Sequence, residues 1–303
     1  MRTPNLKPLK TRELQNHHMD STIWNRFKFR PDDIIISTYA KSGTTWTQQI
    51  VSQLIFKAAE GVNVPEISPW VDMRIPAEEG KLAALEAQTH RRFLKTHLPL
   101  DAFVFRPELK HLYIARDGRD VVWSLHNHHL NANALFYELI NDTPGRVGPP
   151  IPPCDPDIRR YFLTWLENDG APFWSMWDNV RTWWTLRRHP SVLMLHYADM
   201  KRDLEGTVRR IASFLEIDLD DAAFAKAVEH SSFAYMKKHA ANAAPLGGAV
   251  WEGGGATFIN KGTNGRWRDV LTADDISRYE SRAAAELGEA CARWLAEGGP
   301  IAG

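Results

Sequence analysis

The run Asp33-Ile34-Ile35-Ile36-Ser37-Thr38, followed at once by Lys41-Ser42-Gly43-Thr44, most limits the folds open to this chain. Its first part is short, apolar and β-branched, the pattern of a buried parallel strand. Beyond the loop, Trp46, Ile50, Val51, Leu54 and Ile55 recur at helical spacing. The local order is therefore strand, loop, helix. Such a loop is an anion site, because free backbone N–H groups and the positive helix end face the ligand. Gly43 permits close approach of the backbone. Ser42, Thr44 and Thr45 add hydroxyl donors, and Lys41 adds a full charge. The nucleoside-triphosphate pattern Gly-x-x-x-x-Gly-Lys-Ser/Thr is not met: Lys41 precedes Gly43 and the first glycine is missing. Taken alone, the loop leaves room for an ordinary strand–helix turn capped at Thr44 or Thr45.

Three more buried strands are expected, at Arg92–Thr96, His111–Ala115 and Ser191–His196. The second runs through Arg116-Asp117-Gly118 into a helix from Arg119. Further helices are expected over Trp174–Arg188, Met200–Leu215, Asp221–His230 and from Ala273. Strands alternating with helices imply an α/β fold, a central parallel sheet flanked by helices. Residues 1–30 read as an extended lead-in with a short helix, and 31–303 as a single domain. Two segments read as lid-like loops: 141–156, which holds six prolines, and the Ala- and Gly-rich 240–256.

Lys plus Arg and Asp plus Glu each total 37, so no global basic field draws the chain to nucleic acid or an anionic membrane. The two cysteines, Cys154 and Cys291, form neither a disulfide framework nor a metal-ligand spacing. The polar stretch Met1–Asp20 lacks an apolar run of signal-peptide type, and none approaches the roughly 20 residues of a membrane span. A cytoplasmic protein without integral membrane association is the expectation.

Tyr39-Ala40-Lys41-Ser42-Gly43-Thr44-Thr45-Trp46 resembles the 5′-phosphosulfate loop of the cytosolic sulfotransferases, with Ala40 where that family has proline. Leu94-Lys95-Thr96-His97-Leu98-Pro99 resembles the family's strand bearing the catalytic histidine. Tyr113 to Ser124 resembles its 3′-phosphate segment, with Arg116 and Ser124 eight residues apart. Tyr197-Ala198-Asp199-Met200-Lys201 and the late Lys261-Gly262 with Gly265-Arg266-Trp267 complete the series. The matches run from about residue 33 to 268.

The resemblance implies a P-loop-like fold and transfer of a sulfuryl group from 3′-phosphoadenylyl sulfate (PAPS) to an acceptor hydroxyl, leaving PAP, with no metal. It assigns His97 as general base, with Lys41, Lys95 and Ser124 as its catalytic companions. It gives the donor Lys41, Ser42, Gly43, Thr44, Thr45 and Trp46 at one end. Arg116, Ser124, Asn260, Lys261 and Gly262 stand at the 3′-phosphate, and Tyr197, Ser231 and Phe233 with Trp46 around the adenine. Asn260 stands where the family has arginine. By family position the acceptor site draws on Trp70, His97, His128, Phe173 and Trp177, with Trp174 beside them. These suit a small aromatic or amphipathic acceptor, with the Pro-rich loop as a cap. The family's dimerisation motif has a degraded counterpart in Arg268, Thr272, Ala273 and Ser277, which leaves a homodimer open. Rival readings are a P-loop kinase or NTPase and an inactive nucleotide-binding relative.

Overall fold

In the computed structural model, which describes residues 10–301, the isoleucine run becomes strand β1, Ile34–Thr38, buried along its whole length. Its neighbours are β2 (Phe93–Thr96) and β3 (Lys110–Ala115), and β4 (Val192–His196) pairs with β3. The order is β2-β1-β3-β4 and every pairing is parallel. Ile36 lies opposite Lys95 on one side and Leu112 on the other.

The unbroken apolar run follows from burial of both sheet faces. Strand periodicity sends Ile34 and Ile36 to one face, where they meet Ile50, Val51 and Leu54 of the helix Thr44–Ile55 and Val208, Ile211 and Leu215 of the helix Leu204–Leu215. It sends Ile35 to the other face, among Met19, Trp24, Leu94, Tyr113 and Trp183. Residues of the lead-in thus enter the main core, around a one-turn helix at Ile23–Arg26. The result is a single α/β domain.

Parallel strands bring their C-terminal ends to one edge, where open α/β sheets place their ligands. Here β1 ends into the Lys41 loop, β2 into His97, β3 into Arg116 and β4 into Tyr197.

Several boundaries differ from the sequence expectation. The Trp-rich helix runs only Met176–Trp184, because Ser175 caps it by accepting from the Asp178 N–H. The stretch expected as one helix from Met200 is two, Tyr197–Arg202 and Leu204–Leu215, with Asp203 capping the second. The segment 240–256 is not a bare loop: it folds into short helices at Ala240–Ala243 and Gly254–Phe258 with a tight turn at Pro245–Gly248 between them. The Pro-rich segment meets the helix Gly118–Leu130, whose His126 and His129 donate through Nε2 to the carbonyls of Asp155 (2.9 Å) and Pro152 (2.8 Å), and its Gly145 carbonyl accepts from the Arg74 guanidinium at 2.9 Å.

Candidate active site

One cavity of about 1000 Å³ opens over the strand ends, and the loop after β1 forms part of its wall. Lys41 and Gly43 adopt positive φ, 63° and 114°. At that φ a side chain at Gly43 is strained, and its methyl would press to 3.0 Å against the Tyr197 ring. The loop is braced by the Tyr39 hydroxyl, which donates to the Trp174 carbonyl at 2.6 Å. The helix Thr44–Ile55 follows directly, with its first N–H groups free for an anion.

Among the described residues Lys41 has no carboxylate partner. Its Nζ lies 3.5 Å from His128 Nδ1 and 4.4 Å from the centre of the Phe258 ring. Burial, then the nearby charges of Lys95 and Arg116, push its pKa down to about 7. Lys95, two residues before His97, lies over Trp70 at 5.1 Å, and burial brings its pKa to about 8 against the pull of Asp72. Trp70 is held there because the backbone at Pro69 and Val71 bonds to Lys95 along the outer side of β2. An anion would restore full charge to both lysines.

The His97 ring is oriented by main chain. Its Nδ1 lies 2.9 Å from the Thr38 carbonyl oxygen, which can only accept, so Nδ1 carries the proton. The Thr38 hydroxyl sits 3.0 Å from the same nitrogen and 2.6 Å from the Thr44 hydroxyl. Burial, with Lys95 and Lys41 nearby, holds the ring well below the usual histidine pKa. The neutral ring then has a bare Nε2, and His97 lines the cavity. Asn179, of the helix Met176–Trp184, donates to the carbonyls of His97 (2.9 Å) and Leu98 (3.1 Å) and accepts from the Tyr113 hydroxyl (2.9 Å). No motif signals Asn179; its role exists only once the helix packs on the sheet.

At the other end of the cavity, Arg116 is clamped to the late loop. Its guanidinium donates to Asn264 Oδ1 (2.8 and 3.1 Å) and the Thr263 carbonyl (3.1 Å), and covers the Tyr197 ring at 4.2 Å. Asp120 does not pair with Arg116 in a hydrogen bond; it accepts from the Gly265 N–H at 2.6 Å. Ser124, Asn260, Lys261, Gly262 and Arg266 line the same cavity, as do Trp46 and Phe233. Gly262 lies against Phe233, where a side-chain carbon would approach the ring to 2.8 Å. Trp46 meets Tyr197 edge-on at 5.4 Å.

The family model described as "Sulfotransferase domain" matches residues 31–290. A glycolipid sulfotransferase of Mycobacterium bovis is 30% identical, over 87% of this chain and 87% of its own length. Sulfotransferase 1 family member D1 of Mus musculus is 28% identical, over 89% and 88%. Among solved structures, mouse sulfotransferase SULT7A1 complexed with PAP shares the fold with a TM-score of 0.70 at 21% identity, over 91% of this chain and 92% of that one. Retinol dehydratase in a complex with retinol and PAP gives 0.65 at 25%, over 88% and 84%. The chain belongs to the sulfotransferase family.

Within this sulfotransferase, the expected donor and acceptor residues mostly share one cavity: Lys41, Lys95, His97, His128, Trp70, Phe173 and Trp174 join the groups just described. Three do not reach it. Trp177 is core, packed against the rings of Trp165 (5.9 Å) and Tyr279 (5.7 Å), because the first helical turn after Ser175 points it inward. The Ser231 hydroxyl donates to the Ala227 carbonyl at 2.7 Å, and its own carbonyl accepts from Trp46 Nε1; Ser232 takes its place on the wall. The Ser42 hydroxyl is buried with no hydrogen-bond partner among the described residues.

His18 was not singled out from sequence, yet it lines the cavity, amid the rings of Trp70, Phe136, Phe173 and Trp174. Among the described residues no helix is long and apolar enough to cross a membrane.

Proposed function

We propose that this sulfotransferase takes its sulfuryl group from PAPS and passes it to a hydroxyl of a small aromatic or amphipathic acceptor, with His97 as general base. The observation that carries this reading is the continuity of one cavity. Its cationic end holds Lys41, Arg116, Lys261 and Arg266, and its apolar end holds Trp70, Phe173 and Trp174, with His97 between them.

The residues present suit the donor. Arg116 and Lys261 with Ser124 suit its 3′-phosphate. Trp46, Tyr197 and Phe233 suit an adenine between aromatic faces. Lys41 and the free N–H groups of the helix start suit a 5′-phosphosulfate. PAP in the complexes of mouse SULT7A1 and retinol dehydratase supports the same nucleotide here.

When bound, PAPS supplies an electrophilic sulfur and a phosphate leaving group. The chain's own part is proton removal and charge. The neutral His97 ring offers Nε2 to the acceptor O–H, and the Thr38 carbonyl steadies the imidazolium by accepting from Nδ1. Lys41 and Lys95 then face developing negative charge on the transferring and leaving oxygens, where preorganised cations act most strongly.

The test is a PAPS-dependent sulfation screen across phenols, alcohols, sterols and sugars, together with competition between PAP and ATP with Mg²⁺. Sulfate-ester formation on phenolic or amphipathic acceptors, with PAP the tighter ligand, is the expected result. Tighter binding of ATP with Mg²⁺, or PAP binding without turnover on any acceptor, would overturn it.

A further inference from the structure

Two hydrogen bonds in series fix the state of His18. His17 Nε2 lies 2.8 Å from the Pro172 carbonyl oxygen. A carbonyl only accepts, so that nitrogen carries the proton. Burial lowers the pKa of His17 and holds that of His18 well down, so both rings are neutral. His17 Nδ1 is then bare. It lies 2.5 Å from His18 Nδ1, which must donate to it. His18 Nε2 is left without a proton, as an acceptor. Moving the His18 proton to Nε2 breaks its bond to His17 or, if His17 shifts as well, the bond to the Pro172 carbonyl.

The ring that presents this nitrogen is walled by aromatic side chains. Its centre is 5.6 Å from that of Trp174, 5.8 Å from Phe173, 6.0 Å from Trp70 and 6.3 Å from Phe136. Trp70 and Trp174 also flank His97, at 4.5 and 6.0 Å, so both histidines border one aromatic chamber. Lys41 and Lys95 act electrostatically on His97, and neither lysine is among the groups that bear on His18. The sulfuryl group therefore belongs at His97, and His18 is left to recognition.

We propose that His18 forms a second polar subsite of the acceptor chamber, its Nε2 accepting a hydrogen bond from a hydroxyl other than the one that is sulfated. The preferred acceptor is then an aromatic body with two separated hydroxyls. One lies at His97 and loses its proton; the other lies at His18 and keeps it. This deepens the acceptor reading given above and rests on it.

The test has two arms. In the first, the ¹⁵N-histidine-labelled chain is saturated with PAP and read by NMR. A protonated Nδ1 and a bare Nε2 at His18 are expected; the reverse tautomer or an imidazolium overturns the proposal, whatever the acceptor. In the second, kcat/KM is measured for 2,6- and 2,7-dihydroxynaphthalene, their monomethyl ethers and 2-naphthol. The wild type should prefer a diol over its ether by about tenfold, since the ether leaves the subsite's donor missing. His18→Phe should bring the diol and its ether to equal kcat/KM, with PAP affinity unchanged. His18→Gln, which keeps an acceptor oxygen, should retain part of the preference and guards against a misfolded Phe variant. An unchanged diol preference in His18→Phe overturns the subsite. Failure to sulfate any naphthol overturns the aromatic-acceptor reading and this acceptor class with it, while the NMR arm still decides the state of His18.

Discussion

Arg116 Nη2 lies 2.8 Å from Oδ1 of Asn264, a residue 148 positions further along the chain. With the bond to the Thr263 carbonyl, this contact pins the late loop to the end of β3. It also brings Arg266 near: Arg116 is made less basic by burial first, and in part by the positive charge of Arg266. Arg266 lines the donor end of the cavity beside Asn260, where the family's usual arginine is missing. Arg266 is thus the cation placed to substitute. Arg266→Ala should weaken PAP binding about tenfold, the scale of one charge-assisted hydrogen bond. Adding Asn260→Arg should recover most of that loss. Titration calorimetry with PAP checks both, and an unchanged dissociation constant in the alanine variant would exclude Arg266.

The tautomer of His97 predicts a split between chemistry and binding. His97→Ala should lower kcat by roughly 10²- to 10⁴-fold, the usual contribution of a positioned base, while PAP affinity moves by less than about twofold. Steady-state kinetics with any acceptor from the sulfation screen, alongside PAP titration, measures both quantities. Near-normal turnover would remove His97 from the role of base.

Lys41 gives a pH signature. In the free site its pKa stands at about 7, depressed chiefly by burial. A bound phosphate raises it, because an opposite charge favours the ammonium. PAP affinity is therefore fully present below about pH 7 and declines as pH climbs toward the bound-state value. At pH 8 binding should take up close to one proton, seen as a dependence of the calorimetric heat on the ionisation enthalpy of the buffer. Lys41→Met should lose most of that uptake and much of the affinity. Zero uptake in the wild type at pH 8 would contradict the depressed pKa.

The parts of this molecule readable from sequence are those where one local pattern has one physical cause. Ile34–Ile36 announced a strand buried on both faces, and Lys41 to Thr44 announced an anion loop on it. Contacts made by packing were not readable. Trp174 and Trp177 look alike in the sequence, yet one borders the chamber before the helix begins and the other turns into the core. Ser231 and Ser232 exchange places because a helix end claims the first hydroxyl. His17 and His18 sit in a segment without periodicity, and their relay is closed by Pro172, far along the chain. The prolines of 141–156 read as a lid, while the bonds from His126 and His129 to the carbonyls of Asp155 and Pro152 carry no signal in the sequence.

The atom that orients His97 is the carbonyl oxygen of Thr38, and every amino acid carries one. No single-codon change at position 38 can delete it. The proton pattern of the imidazole is thus inherited from the main chain of β1 rather than from any side chain. Genetic drift can remodel the aromatic walls of the chamber and, with them, the acceptors admitted. The orientation of the proposed base lies outside the reach of such drift for as long as the sheet itself is kept.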